Sequence, residues 1–312
     1  MNPKPFRTHN DLIKLLESRG MDFSAPNSKG TAKKNLQRIG YYNLINGYAT
    51  PFYDSSLQDT FLNGTTLDEI MSLYLFDRKM REVLLRYILP VETNIKSLIA
   101  YYFPQQHKEE HYLVYENFDT HQRDSSRRIT NLISDIHRQI SSRVSDPSIS
   151  HYLNNYGYIP LWVLNNILTM GIVSKFYSLM LQNERQSVSN TFGLSDDVLE
   201  NILLYLSSIR NICAHGNRLY CYRSRRPLID MPMHANLNIP KINGEYAFGK
   251  RDLLAVYIAL RYVIARSHYH SLLKETKGAI NELAQNIHTI PVQTILDSMG
   301  FPAGWKNQLY KA

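Results

Sequence analysis

The chain has 312 residues, 44% of them hydrophobic and 20% charged, the composition of a soluble globular protein with ample material for a core. Its 35 Lys and Arg against 27 Asp and Glu leave a formal net charge of +8, which favours a polyanionic partner such as nucleic acid but also suits an ordinary basic surface. No stretch approaches about 18 consecutive apolar residues, MNPKPFRTHN lacks an apolar h-region, and only Cys213 and Cys221 are present. These features argue against a membrane span, a secretory signal and a disulfide framework, and predict a cytoplasmic protein.

Helical periodicity dominates in chain order. DLIKLLESRG places Leu12, Leu15 and Leu16 on one face and stops at Gly20. SKGTAKKNLQRIG predicts a second short helix ending at Gly40, and the aromatic stretch YYNLINGYATPFY follows. The next segment opens on a capping box, Thr66 with Glu69, and Ile70, Leu73, Phe76, Met80, Val83, Leu84 and Tyr87 keep a helical period. Pro90 is expected to kink or divide that helix, having no N–H to donate. A polar, Arg-rich helix is expected over roughly 119–143, and Asp146-Pro147 reads as an N-cap followed by proline in the first turn. IPLWVLNNILTMGIVSKFYSLM predicts an apolar helical pair around Gly171. Ser195, with Asp196 and Asp197, caps a helix through Val198, Leu199, Ile202, Leu203, Leu206 and Ile209. Residues 216–250 read as an irregular excursion with room for short strands, and KRDLLAVYIALRYVIARSHYHSLL and GAINELAQNIHTI close the chain as helices. The expected architecture is all-α, one compact body without internal repeats. Its segments are an N-terminal helical and aromatic part (1–64), a helical core (65–222), and a basic excursion with C-terminal helices (223–312).

SIRNICAHGNRLY raises the functional question, because an apolar helix ends on Arg210, Asn211 and His215. Asn211 and His215 are four residues apart and share a face, and the long side chain of Arg210 can reach the same region. A guanidinium fits a phosphate through planar, charge-assisted hydrogen bonds, and an imidazole moves protons near neutrality. Together they can bind an RNA phosphate and handle the proton of a neighbouring 2′-hydroxyl. The bland alternative pairs Arg210 with a carboxylate and leaves His215 capping the helix carbonyls.

After the motif, Arg218, Arg223, Arg225 and Arg226 interleave with Tyr220 and Tyr222, which suits phosphate holding and base stacking as well as a solvated loop. The helix with Arg123, Arg127, Arg128, Arg138 and Arg143 is a second basic candidate, and the Tyr-rich GYYNLINGY reads as packing rather than base stacking. HKEEH, His107 to His111, matches an inverted zinc-peptidase pattern but lacks a third ligand, and HYH, His268 to His270, spaces its imidazoles off a common face. No phosphate-binding loop or nucleophile elbow occurs, and no metal or cofactor is expected.

The motif and its surroundings carry a resemblance. RNICAH resembles the R-x4-H motif of HEPN-type ribonucleases. LQRIGYYNLINGY, TTLDEIMSLYLFDRKMREVLLRYILPVE, IPLWVLNNILTMGIVSKFY and FGLSDDVLENILLYLSSIRNICAHGNRLY resemble, in order, the blocks of the Abi (abortive infection) proteins of the AbiD/AbiF type. The resemblance spans residues from about 5 to 222. It implies a HEPN-type helical bundle with additional terminal helices, a phage-defence or toxin-like role, and metal-independent RNA cleavage with Arg210, Asn211 and His215 as site residues. It also implies a small structured RNA as a regulatory partner and a homodimer that joins two motifs. Gly216 stands where the family often has a second His, and Asn43 where it often has Arg.

Overall fold

Side-chain caps fix where several of the helices begin. The computed structural model describes residues 5–57, 59–107 and 109–311. Helix α1 (His9–Ser18) starts on a capping box between Thr8 and Asp11. Helix α2 (Ser28–Ile39) stops at Gly40, whose φ of 86° suits glycine alone. A π turn over Tyr42–Asn46 and a 3-10 turn over Thr50–Phe52 complete the N-terminal part.

Helix α3 (Leu67–Tyr102) begins on the expected Thr66–Glu69 box and runs 36 residues, so Pro90 does not divide it. Arg86, whose carbonyl loses its helical donor to Pro90, is exposed, as is Pro90 itself, so water can serve that oxygen. Tyr87, Ile88 and Val91 are buried beside it and hold the helix through the defect. Glu69 also acts beyond its own helix. Its carboxylate accepts from the amides of His288 and Thr289, each at 2.7 Å, tying the start of α3 to the C-terminal part.

Helix α4 (Ser125–Ser142) starts later than the expected 119, after Asp124 at φ 55°, because Asp119 and Gln122 are spent on turn hydrogen bonds. Asp146 caps α5 (Pro147–Tyr156) by accepting from the Ser148 amide. The apolar pair breaks between α6 (Leu161–Leu164) and α7 (Met170–Leu179), not at Gly171, which lies inside α7. The amide of Asn165 donates to the Lys96 carbonyl at 2.6 Å, and the Thr169 hydroxyl caps the restarted helix. Helices α8 (Gln182–Asn190), α9 (Asp196–Ala214) and the short α10 (Pro232–Asn236) follow. The excursion holds a two-stranded antiparallel ribbon, β1 (Lys241–Ile242) and β2 (Glu245–Tyr246), with Lys241 opposite Tyr246. The closing helices are α11 (Leu253–Val263), α12 (Arg266–Asn286), α13 (Val292–Ser298) and α14 (Trp305–Lys311). The break therefore falls at Ile264-Ala265, and α12 runs straight through Gly278.

The fold is mostly α, as expected. Helix α3 is its axis: α12 and α9 pack along it, and α7, α8 and α11 lie against α9. Leu73, Leu84 and Ile88 of α3, Leu206 and Ile209 of α9 and Leu272 of α12 share one hydrophobic cluster with Leu16, Leu36 and Phe52 from the N-terminal part. Among the described residues, no helix is long and apolar enough to cross a membrane.

Candidate functional site

The R-x4-H segment is the end of α9. Asp196 and Asp197 complement the positive end of the helix dipole, and Leu199, Ile202, Leu203, Leu206 and Ile209 bury its apolar face. Ser195 stands at the N-cap, yet its hydroxyl donates to Asp197 Oδ1 at 2.5 Å instead of capping a backbone amide. His215 is the C-cap, and Gly216 follows at φ 69°. The amide of Asn217 reaches the Ile212 carbonyl at 3.1 Å and that of Gly216 the Cys213 carbonyl at 3.4 Å, the paired bonds of a Schellman ending. Such an ending needs a left-handed residue after the cap. That accounts for glycine beside His215.

The three motif residues do not converge. Arg210 turns towards α3, where its Nε donates to Glu92 Oε2 at 3.2 Å, and Lys96 holds the other oxygen of that carboxylate at 2.8 Å. Asn211 and His215 are exposed, and they continue a stripe of α9 through Glu200, Leu204 and Ser208 at steps of three or four residues. His215 is five positions on from Arg210, which places them about 140° apart around the helix. His215 instead lines a cleft of about 580 Å³ against the N-terminal π turn, with Arg38, Tyr42, Asn43, Tyr74 and Arg218.

One buried carboxylate assembles that cleft. Asp77 of α3 is fully buried and accepts from the Tyr48 hydroxyl at 2.7 Å, the Leu219 amide at 3.1 Å and the Tyr220 amide at 2.6 Å. Arg81, one helical turn on, pairs with Asp77 and donates to the Asn217 carbonyl at 3.2 Å. Burial pushes the Asp77 pKa up, and Arg81, Tyr48 and the two amides pull against it. Arg218 donates to the carbonyls of Asn46 and Gly47, locking the π turn to the strand of chain that leaves α9. Asp77 and Arg81 were not singled out by sequence reasoning. The available signal was a carboxylate and a guanidinium four residues apart among positions that the apolar period buries.

Residues separated by over a hundred positions thus meet at the end of α9: INGY, FDRKMR, LPVE and RNICAHGNRLY. Residues 34–221 match the model of a family described as Abi-like protein. The chain belongs to the Abi-like protein family. This membership supports a role in abortive infection, a defence against phage. No curated protein and no solved structure matches the chain.

The basic residues beyond the motif of this Abi-like chain have divided roles. Tyr220 is buried with its ring stacked on Tyr48, centroids 5.9 Å apart, so it offers no face to a base, contrary to expectation. Arg218 is engaged as described above and serves the backbone. Arg223 is exposed but donates to the Ser298 carbonyl at 2.8 Å. Arg225 and Arg226 are exposed and form no ion pair among the described residues. They line a second cleft of about 560 Å³ with Arg128, Lys175, Glu200 and Ser208, so α4 and the excursion, two separate basic candidates in sequence, share one surface. Burial raises the Glu200 pKa, with Arg185, Arg128 and Arg226 working against it. If this surface holds RNA, binding should fall steeply with salt, and replacing Arg223, Arg225 and Arg226 by alanine should flatten that slope by roughly 0.7 per lost phosphate contact on single-stranded RNA. With Arg223 tied to backbone, Arg225 and Arg226 should carry most of the change. An unaltered slope would place the RNA elsewhere.

HKEEH has a structural explanation. Lys108 lies outside the described residues, but His107 reaches Glu184 Oε1 of α8 at 2.7 Å, and no group of three metal-ligating side chains occurs among the described residues. Burial raises the Glu184 carboxyl to about 7 and lowers the His107 imidazole. The raised carboxyl favours folding below its unfolded value of 4.5, and this contribution is lost as pH climbs through about 7. The depressed imidazole favours folding above 6.5, and this contribution is lost as pH falls below it. Below 6.5 the two contributions change in opposite directions, and above 6.5 only the carboxyl's still changes, so stability declines from 6.5 to about 7. Urea titrations across pH 5–8 should show that decline in the wild type and its loss in Glu184→Gln; parallel curves would contradict it. Both cysteines are free, and burial pushes the Cys213 thiol up to about 12, which leaves it inert as a nucleophile.

Proposed function

We propose that this Abi-like chain is a metal-independent endoribonuclease of the HEPN type that acts in abortive infection or a toxin–antitoxin system. The observation that carries this reading is the placement of His215, exposed at a helix end beside a cationic cleft, while Arg210 is oriented by Glu92 on the same helix end. A structural imidazole would be expected to bond a neighbour, and the His215 ring has no hydrogen-bond partner among the described residues. In the reaction a 2′-oxygen attacks the adjacent phosphorus and the bond to the 5′-oxygen breaks. The products are a 2′,3′-cyclic phosphate and a 5′-hydroxyl. His215 moves the protons, Arg210 stabilises charge on the phosphorane, and Asn211 orients the phosphate or the imidazole.

The reaction needs a base and an acid, and one chain supplies one motif imidazole, about 140° around α9 from its own Arg210. A two-fold homodimer that joins two α9 ends supplies both groups. A heterodimer of wild type and His215→Ala, purified through two different tags, should then cleave labelled RNA at close to background rate. Half the wild-type rate per dimer would show that each chain works alone. The second reading, a non-catalytic protein that holds a small structured RNA, is favoured by the second basic cleft with Arg225 and Arg226. It predicts RNA binding with no cleavage by any form of the protein.

A further inference from the structure

We infer that the cleft beside His215 takes one unpaired nucleotide of the RNA, with its base stacked on Tyr42 and its phosphate held by Arg38. The identity of the ligand as RNA rests on the function proposed above; the cleft and its two contact residues do not.

The π turn over Tyr42–Asn46 sets up the aromatic contact. Leu44, Ile45 and Tyr48 are buried, whereas Tyr42 is 76% exposed. An aromatic ring left that open contributes little to the core, and it lies in the same cleft as His215. A π turn inserted between helical residues costs hydrogen-bond geometry and is found mostly at functional positions. Here Arg218 fixes its C-terminal end through the carbonyls of Asn46 and Gly47, only three residues after His215. The Arg218 guanidinium therefore ties the chain just after His215 to the π turn that carries Tyr42.

Arg38 supplies the charge. It lies in the last turn of α2, is exposed and makes no ion pair among the described residues. Arg218, the other guanidinium of the cleft, spends its Nη1 on the carbonyls of Asn46 and Gly47, whereas Arg38 makes no side-chain hydrogen bond or ion pair among the described residues and offers its whole fork to a phosphate. A volume of about 580 Å³ fits a nucleotide unit. A ring can stack on Tyr42 only if its base is splayed out of a duplex, which sets single strands and loops as the substrate class. The GYYNLINGY stretch thus has two roles, since Tyr48 packs in the core and Tyr42 faces the ligand.

The test is fluorescence anisotropy with an unstructured oligoribonucleotide of about 12 nucleotides, carried out in the His215→Ala protein so that the RNA stays intact. Tyr42→Ala should weaken binding roughly 5- to 100-fold, Tyr42→Phe should leave it nearly unchanged, and Arg38→Ala should lower the salt slope by about 0.7. The same RNA annealed to its complement should bind more weakly and be indifferent to Tyr42→Ala. Unchanged affinity in Tyr42→Ala, equal losses in Tyr42→Phe and Tyr42→Ala, or no RNA binding at all would overturn the inference. Displacement of the oligomer by an equal concentration of uridine monophosphate would also overturn it, assigning the cleft to a free nucleotide. If the wild type cleaves no RNA while Tyr42→Ala still weakens binding, the cleft assignment holds and the nuclease reading fails. If His215→Ala abolishes cleavage while Tyr42→Ala and Arg38→Ala bind normally, the nuclease reading holds and this inference fails.

Discussion

Replacing His215 with alanine is expected to lower RNA cleavage by about 10²-fold or more and to leave the melting temperature where it was. The fold uses this residue only through its backbone: its amide donates to the Asn211 carbonyl at 3.0 Å, a bond that alanine keeps. The side chain is exposed, so its removal opens no cavity. Arg210→Ala should be similarly inactive and folded, because Glu92 retains Lys96 at 2.8 Å when the guanidinium goes. Cleavage assayed in excess EDTA should match cleavage without it. A folded His215→Ala protein with full activity would end the nuclease reading. A requirement for added Mg²⁺ or Mn²⁺ would replace the acid–base scheme.

The sequence was most informative where the physics is local. The Thr66–Glu69 box and the Asp146-Pro147 start depend on neighbours two or three positions away, and both are as expected. The misjudged features depend on distant partners. Pro90 would split an isolated helix, but packing on both sides of it, with water available at the exposed face, keeps α3 continuous. Thr169 restarts the helix that Gly171 was expected to interrupt, because a cap outweighs one glycine in the first turn. Tyr220 and Arg218 looked like RNA ligands in a basic run, yet a carboxylate 143 positions away fixes the backbone of the first and two distant carbonyls engage the second. Tyr42 belongs to the Tyr-rich stretch expected to pack, yet it opens a π turn and its ring stays 76% exposed.

Asp77→Ala should be strongly destabilising, at about 3–5 kcal/mol. The loss does not come from volume, since an aspartate side chain is small. It comes from what the carboxylate leaves behind. Arg81 would keep its charge in a buried site, and the amides of Leu219 and Tyr220 would lose their acceptor. The Tyr48 hydroxyl would lose its acceptor too. The unpaired buried charge sets that loss of about 3–5 kcal/mol, and water entering the space vacated by the carboxylate can serve the two amides. Tyr48→Phe removes one donor and keeps the charge pair, so it should cost only about 1 kcal/mol. Asp77→Asn should fall between the two, since an amide oxygen can still accept but cannot neutralise Arg81. Urea denaturation of the three variants gives the ordering directly, because their m-values should be alike and their midpoints should not. If Asp77→Ala loses less than about 0.5 kcal/mol, the carboxylate is not what joins α3 to the end of α9. If the expected order is found, His215 owes its position beside the π turn to a residue far from it in sequence. Mildly destabilised Asp77→Asn should then lose RNA cleavage at temperatures where its far-UV circular dichroism is still native.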